Sequence, residues 1–172
     1  MELKETLAKR RSIRNFLPKD VDMETVIEII SYANMAPSAG DLQSRDFIVV
    51  RDDHTKEELS EAALGQDFIM EAPVCIVVCA NLQRISPYGK RGRELYCIQD
   101  ASASIDHILL ASLDHNLGTC WVGAFHEERV SDILDLPYYA RPVAIIPMGY
   151  PAVVPPAPPR MDIKKLIHLE RW

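Results

Sequence analysis

The sequence lacks the cysteine and histidine patterns that mark metal centres and dithiol redox sites. Its four cysteines and five histidines form no CxxC pair and no HExxH motif, so neither a structural zinc site nor a thioredoxin-like centre is predicted. Cys75 and Cys79 lie in an apolar run that predicts a buried strand, where they serve as small hydrophobic side chains. We therefore expect no bound metal.

Long apolar runs and a surplus of positive charge are also missing. No segment approaches the roughly 20 apolar residues of a membrane-spanning helix, and residues 1–5 lack the apolar core of a signal peptide. The formal net charge of −6 disfavours a nucleic-acid binder, because phosphate binding needs a broad basic surface. The expectation is a cytoplasmic protein with neither a membrane nor a nucleic acid as partner, folded as a single domain over residues 1–172.

Two nucleotide-binding signatures are absent. Gly118 and Gly123 do not form a GxGxxG fingerprint, and no GxxxxGK[ST] sequence occurs. Neither a Rossmann dinucleotide site nor a P-loop is therefore predicted.

The most distinctive segment that is present is residues 9–16, with the sequence KRRSIRNF. Arginine offers a planar fork of donors that fits a phosphate, and the Ser12 hydroxyl adds another donor. In an acidic chain this cluster predicts a pocket for one particular anion. The alternatives are a solvated, charged helix end and a short arm that binds a polyanion.

Hydrophobic periodicity predicts alternating helices and strands without an internal repeat. Asp22 is the expected cap of the first long helix, and Thr55 and Glu58 have the spacing of a capping box. The predicted helices lie near 22–33, 55–64, 95–116 and 127–134, the strands near 47–50, 74–80 and 143–146, and breaks at 36–40 and 147–151. The proline-rich arm, about 151–172, should run extended over a surface.

Four separated segments together resemble the nitroreductase-like flavoproteins. Residues 9–16 resemble that family's N-terminal phosphate motif, Arg-Arg-Ser-Ile/Val-Arg-x-Phe, and residues 36–43 resemble its Ala-Pro-Ser-x-x-Asn-x-Gln loop. Residues 118–125, GTCWVGAF, are similar to its second flavin loop. Residues 147–151, with Arg160 and the final residues, are similar to its C-terminal segment.

The resemblance implies an α+β nitroreductase-like fold with a mainly antiparallel central sheet flanked by helices. It also implies an intertwined homodimer that holds FMN at its interface, with NADH or NADPH as electron donor. No catalytic side chain is implied, since the flavin carries the redox chemistry. The residues implied to surround the flavin are Arg10, Arg11, Ser12, Arg14 and Arg160 at its phosphate and edge; the turn of Trp121, Val122, Gly123 and Ala124 near N5; Gln66 at its pyrimidine or ribityl part; and Pro37, Ser38 and Ala39 from the partner subunit.

Two departures from the family pattern lie in the second of these segments. Asp41 stands where the family has Asn, so a carboxylate that only accepts when ionised replaces an amide that also donates. Facing the flavin, Asp41 would disfavour the anionic reduced form or hold a raised pKa; alternatively, it pairs with an arginine. Ser44 and Arg45 replace the family's Pro-Trp, which removes an expected aromatic wall.

Residues 84–94 are interpreted as a loop that covers the open flavin face. Pro87, Gly89 and Gly92 are its candidate hinges. Its cationic residues, Lys90, Arg91 and Arg93, favour an anionic substrate or the phosphates of a nicotinamide donor. The alternative is a simple solvated loop.

Taken together, the sequence predicts an FMN-dependent oxidoreductase that passes hydride from NAD(P)H through flavin N5 to a nitroaromatic, a quinone or a similar small acceptor. One alternative is a specialised flavin enzyme, such as a reductive dehalogenase or a flavin-consuming cofactor-synthesis enzyme. Another is a non-catalytic flavin-binding module. Instead of contacting the flavin, Trp121 could pack in the core. Pro37 and Ser38 could instead only terminate the preceding helix.

Overall fold

A four-stranded sheet forms the centre of the computed structural model, which describes residues 2–172. Its strands are β1 (Arg45–Val50), β2 (Val74–Asn81), β3 (Gly118–Thr119) and β4 (Ala140–Gly149). They lie in the order β1-β2-β4-β3, and each neighbouring pair is antiparallel. The predicted α+β class with an antiparallel sheet is confirmed.

Helices pack on both faces of this sheet. The α-helices of the described residues are α1 (Leu3–Lys9), α2 (Met23–Asn34), α3 (Asp53–Ala62), α4 (Phe68–Glu71), α5 (Gly89–Arg91), α6 (Cys97–Ala111) and α7 (Glu127–Ile133). Short 3₁₀ turns cover Ala39–Asp41, Ser86–Tyr88, Ser112–His115 and Ile163–Lys165, and Gly92–Tyr96 is a π-helical turn.

The central strand β2 is buried along its whole length. Because successive side chains of a strand point to opposite faces, its even-numbered residues from 74 to 78 pack with α2 and α6. Its odd-numbered residues from 75 to 79 pack with α3, α4 and α7 on the other face. The result is a sheet enclosed between two helical layers, which positions the loops at its ends.

The helix caps agree with the sequence at α2 but not at α3. The Asp22 carboxylate accepts from the Thr25 N–H at 2.7 Å, as expected of an N-cap. The expected capping box at Thr55 and Glu58 is wrong, because Asp52 is the N-cap and accepts from the Thr55 N–H at 2.9 Å. Aspartate and threonine both can cap a helix, and here the earlier of the two residues, Asp52, is the cap.

The predicted long helix consists of three successive helix types rather than one α-helix. The π-helical turn over residues 92–96 leads into α6, and a 3₁₀ turn over residues 112–115 follows it. Asn116 then ends the run with a left-handed φ of 57°. Its buried residues pack with α2 and β2, so this helix lies in the core of the chain.

Strand β4 continues through the break expected after residue 146 and ends at Gly149. Pro147 is tolerated in it although proline cannot donate to a ladder. The Pro147 carbonyl accepts from the Cys120 N–H at 3.3 Å, so it points toward the β3 side. In an antiparallel strand the N–H and C=O of one residue point to the same neighbouring strand. The backbone N–H that proline lacks would therefore also have faced the β3 side. On that side β3 is only two residues long, so little pairing is lost.

Beyond β4 the chain forms the arm. Pro151 pairs with Phe16, and the Ala152 N–H donates to the Asn15 carbonyl at 2.9 Å. From residue 156 every position is exposed. Across residues 2–172, no helix combines the length and apolar character needed to cross a membrane, and no group of three or more histidine, cysteine or acidic side chains is placed to hold a metal ion.

Candidate functional site

The cationic N-terminal segment lies against the start of the Gly118–Phe125 loop. After α1 the chain becomes extended, and Ser12 pairs with Thr119 in a parallel bridge. The Ile13 N–H donates to the Thr119 carbonyl at 2.9 Å, and the Ile13 side chain is buried. Because side chains alternate along an extended chain, Ser12 and Arg14 point away from the buried face on which Ile13 lies.

The arginines of this segment differ in how far their donors are already used. Arg11 Nη1 donates to the carbonyls of Ala8 at 2.7 Å and Arg10 at 2.8 Å. Arg14 stacks over the Phe68 ring, with its guanidinium carbon 5.8 Å from the ring centroid. Within residues 2–172 the Arg10 guanidinium makes no hydrogen bond or ion pair, so its full fork is available to an anion.

The charged side chains of this segment act on the pKa of the buried Cys120 thiol. Burial raises the pKa of Cys120, while Arg14, a hydrogen bond with Ser12, and Arg10 act to lower it. Ser12, Arg10 and Arg14 therefore all lie near enough to the 118–125 loop to act on this thiol.

Gln66 ties a third segment to this group. Its Nε2 donates to the carbonyls of Ala63 at 2.8 Å and Ala124 at 3.2 Å. Its Oε1 accepts no hydrogen bond from the part of the chain that the structure describes. Gln66 therefore holds the end of the 121–124 turn and keeps an acceptor for a ligand.

The 121–124 turn presents unpaired backbone donors at the surface. Val122 is pinned to β4 by two hydrogen bonds of 3.0 Å with Ile145. The exposed Gly123 and Ala124 that follow donate no backbone hydrogen bond to any described residue. Trp121 is 39% exposed and belongs to none of the core clusters, so core packing, its alternative role, does not describe it.

The remaining sequence-predicted residues lie elsewhere in the same chain. Pro37, Ser38, Ala39 and Asp41 form a loop between α2 and β1 whose described contacts are with β1, α6 and residues 84–88, not with the Arg10–Arg14 segment. Arg160 is exposed on the arm, and its side chain makes no hydrogen bond or ion pair with a described residue. The predicted site therefore divides into a joined group at residues 10–14, 66 and 121–124, a separate loop, and a separate arm.

Asp41 is exposed and adopts a left-handed φ of 55°. Its Oδ1 accepts from Gln43 Nε2 at 3.3 Å. Its charge also acts on Arg45, where it opposes the effect of burial on the pKa. No hydrogen bond or ion pair joins Asp41 to an arginine among the described residues, so the arginine-pair interpretation is not met within this chain.

The dipeptide Ser44-Arg45, expected only to remove an aromatic wall, is buried and structured. Ser44 Oγ donates to Asp100 Oδ2 at 2.6 Å. Arg45 is 3% exposed, and burial lowers its pKa, while Asp100 and Asp41 act to raise it. Sequence reasoning missed Asp100; the signal that could have found it is a single carboxylate at the start of the otherwise small and apolar run at 101–105.

Most of residues 84–94 are helical rather than the loop that the sequence predicted. They form consecutive 3₁₀, α-helical and π-helical turns that lead into α6. Gly92 is not a hinge: a Cβ there would lie 2.8 Å from the Ile85 carbonyl oxygen, so this glycine permits close packing. The segment is helical because its backbone continues without a break into α6.

Two cavities border the joined group. One of about 450 Å³ has a cationic wall from Lys9, Arg10 and Arg11 and an apolar wall that includes Leu109 and Leu113. The other, of about 370 Å³, lies beside Gly123 and is lined by Phe125 and by Arg141, whose guanidinium forms two hydrogen bonds with Glu127.

Comparison with known proteins places the chain in a family. It matches the Nitroreductase family model over residues 7–66 and 62–150. A provisionally named NADH dehydrogenase/NAD(P)H nitroreductase of Methanothermobacter thermautotrophicus is 34% identical over 178 residues, which cover 100% of this chain and 88% of the relative. The FMN reductase (NAD(P)H) of Bacillus subtilis is 28% identical over 185 residues, which cover 99% of this chain and 74% of the relative. The solved structure of NfrA2 from B. megaterium has a TM-score of 0.91 and 28% identity, and the match covers 98% of this chain and 74% of that one. The chain belongs to the nitroreductase family.

Proposed function

We propose that this chain is an FMN-dependent oxidoreductase that takes electrons from NADH or NADPH and reduces a nitroaromatic, a quinone or a similar small acceptor. The relatives are named as NAD(P)H nitroreductases and FMN reductases. The observation that carries the proposal is the joined group at residues 10–14, 66 and 121–124. It combines an arginine that bonds no described residue with unpaired backbone donors, in segments that the Ser12–Thr119, Arg14–Phe68 and Gln66–Ala124 contacts connect.

The joined group fits the phosphate and ring of FMN. A phosphate dianion is bound by several charge-assisted donors, and Arg10, Ser12 and Arg14 supply them from one side. Arg11 is the weaker contributor because its Nη1 already donates to two carbonyls. The Gln66 Oε1 acceptor suits an N–H group of the flavin's pyrimidine ring.

The backbone of Gly123 and Ala124 is proposed to donate to the flavin near N5. These amides bind and orient the ring without supplying an acid that would protonate it. FMN, when bound, supplies the hydride-transfer chemistry. The protein groups bind it, orient it and place positive charge near it, so no side-chain nucleophile or general base is required.

A homodimer completes the proposed site. Pro37, Ser38 and Ala39, with Asp41, would line the flavin of the partner subunit, which accounts for the separation of this loop from the joined group within one chain. The exposed arm would bring Arg160 to the phosphate. Two copies would then form two sites across their interface.

The cationic helical turns at residues 89–93 are proposed to bind the phosphates of the nicotinamide donor. Arg91 is held by its Nε, which donates to the Tyr96 hydroxyl at 3.0 Å. Lys90 lies 3.7 Å from Glu94, an exposed pair that contributes little to stability. Arg93, with these two, gives this surface the positive charge that favours an anionic ligand.

The first test is the visible spectrum of the purified protein, recorded before and after anaerobic addition of NADPH and then NADH. Flavin bands that bleach support the proposal and rank the two donors. Bands that never bleach favour a non-catalytic flavin-binding module. A colourless protein that FMN does not reconstitute contradicts the proposal.

The binding residues are tested by FMN titration of variants. Arg10→Ala and Arg160→Ala should each weaken FMN binding by about tenfold or more, because each removes a charge-assisted phosphate contact. Arg129→Ala is the matched control, since Arg129 is an exposed arginine whose guanidinium lies 3.4 Å from the Glu61 carboxylate and is not among the residues assigned to FMN. Unchanged FMN affinity in the first two variants would contradict the phosphate assignment.

A further inference from the structure

The loop that the proposed function places on the partner's flavin has an unusual backbone. Gly40, Asp41 and Gln43 all have positive φ values, of 57°, 55° and 49°. Left-handed conformations are costly for residues other than glycine and persist only where the surroundings impose them. The contacts that impose this conformation are therefore informative about the loop's role.

Asp100 of α6 is the first of these contacts. Its carboxylate is 4% exposed, and each oxygen accepts from a different end of the loop. Oδ1 accepts from the Ala39 N–H at 2.9 Å, and Oδ2 accepts from Ser44 Oγ at 2.6 Å. One buried carboxylate thus joins both ends of the loop to the central helix.

Arg45 is the second contact. Its Nη2 donates to the carbonyls of Asn34 at 2.7 Å and Ala36 at 2.9 Å. These carbonyls lie at the C-terminal end of α2, where unpaired acceptors and the helix dipole favour a cation. Arg45 therefore fixes the exit of α2, from which the loop begins.

The two buried charges act on each other and on the same loop, although no hydrogen bond or ion pair joins them among the described residues. Asp100 and Arg45 interact electrostatically, and Arg45 Nε and Nη1 have no hydrogen-bond partner within the described part of the chain. Burying two charges is costly and is a poor way to gain stability. A network of this kind is explained better by the single conformation that it imposes.

Residues 84–88 close the loop from outside. Arg84 Nη1 donates to the carbonyls of Gln43 at 2.6 Å and Arg45 at 3.0 Å. The Tyr88 ring packs on Gly40, where an added Cβ would lie 2.5 Å from the tyrosine hydroxyl. The loop is thus held on three sides while Pro37 and Asp41 stay exposed.

We propose that Asp100, Ser44 and Arg45 are positioning residues that hold loop 37–43 in the conformation that contacts the flavin of the partner subunit. This inference rests on the proposed function. Where the family has Pro-Trp, this chain achieves the loop's geometry with a buried carboxylate–hydroxyl–guanidinium network.

The test compares FMN affinity in three variants of the full-length protein. Ser44→Ala should weaken FMN binding about threefold to tenfold, and Asp100→Asn by about tenfold or more, because the second change also leaves Arg45 buried without its counter-charge. Ser104→Ala is the matched control: its hydroxyl is equally buried on α6 but donates only to the Ala101 carbonyl. It should bind FMN as the unmodified protein does.

Amide hydrogen exchange of the FMN-free protein separates positioning from general destabilisation. In Ser44→Ala the amides of Ala39, Asp41 and Leu42 should exchange faster, while those of β2 should not change. Uniformly faster exchange, or an equal loss of FMN affinity in Ser104→Ala, would overturn the inference.

The two proposals fail in different ways. An unmodified protein that binds no FMN in this titration overturns the proposed function and the inference with it. An unmodified protein that binds FMN, together with Ser44→Ala and Asp100→Asn variants that bind it equally tightly, overturns the inference alone. Ser44→Ala keeps this test decisive if Asp100→Asn does not fold.

Discussion

Gly118 and Gly123 lie in one loop but serve different purposes. Both belong to the segment that resembles the family's second flavin loop. In the structure Gly118 is buried, and a Cβ there would lie 2.9 Å from Ile13 Cβ. A Cβ at Gly123 would meet nothing closer than Trp121 Nε1, at 3.8 Å. Gly118 therefore admits the N-terminal segment, and only Gly123 is open to a ligand.

Gly118→Ala should lower the free energy of unfolding by about 1–3 kcal/mol, because the added methyl overpacks Ile13. Gly123→Ala is the matched control and should change it by no more than about 0.5 kcal/mol. Denaturant unfolding of both variants measures the difference. Equal effects would contradict the assigned roles, whereas a Gly118→Ala, Ile13→Ala double variant that is destabilised by less than the sum of its two single changes would support them.

At the scale of elements, burial on both faces sets the chemistry of β2. Burial raises the pKa of Cys75 and of Cys79 from 9.0 to about 12, with Asp46 adding to the effect at Cys79. Thiols of this kind stay protonated and unreactive in the folded protein.

The raised pKa values predict a loss of stability at alkaline pH. Below pH 9 both states hold the thiol protons, so the contribution of Cys75 and Cys79 is complete. Between pH 9 and 12 only the unfolded state releases them, so stability falls by up to about 1.4 kcal/mol per pH unit for each thiol. Urea unfolding at several pH values should show a shallower fall in Cys75→Ala and Cys79→Ala. Identical slopes in the variants and the unmodified protein would refute this.

The cap of α3 gives a second prediction at this scale. Asp52 accepts from both the N–H and the hydroxyl of Thr55, at 2.9 and 2.8 Å. Asp52→Ala should lower the melting temperature and speed amide exchange at Thr55, because the N-cap contact is lost. Glu58→Gln should have neither effect, since Glu58 does not form the expected capping box. A larger effect at Glu58 would restore the capping-box interpretation.

At the scale of the whole molecule, the arm stands out because, after its first residues pair with Asn15 and Phe16, every position from residue 156 onward is exposed. Its exposed large apolar side chains are Val153, Val154, Met161, Ile163, Leu166, Ile167, Leu169 and Trp172. Apolar side chains exposed together along one segment indicate an interaction surface. A second copy of the chain is the partner that the proposed function requires.

Removing residues 160–172 should therefore turn a dimer into a monomer and empty the flavin site, because the arm's apolar contacts and Arg160 are lost together. Analytical ultracentrifugation and the absorbance ratio of flavin to protein measure the two effects. Arg160→Ala separates them, since it should lose FMN affinity but remain a dimer. A truncated protein that stays dimeric would show that the arm does not hold the copies together.

Much of the fold and part of the candidate site could be predicted from the sequence. Strand β2, the Asp22 cap of α2 and α7 follow from patterns that lie within single elements, where period and capping chemistry are local. The cationic segment and the 118–125 loop were recognisable as motifs, and the structure brings them together. The extent of β4 through Pro147 was not predictable, because it depends on which neighbouring strand faces the missing donor.

The sequence by itself determined the periodicity of helices and strands, the acidic character of the chain and the motifs of its family. Only the tertiary structure decided that Gly118 leaves room for the Ile13 side chain, and that Asp100 accepts hydrogen bonds from Ala39 and Ser44. These contacts join residues far apart along the chain, and their partners depend on how the layers pack around the sheet. A local pattern records what a segment can form, whereas packing selects which distant side chains it meets.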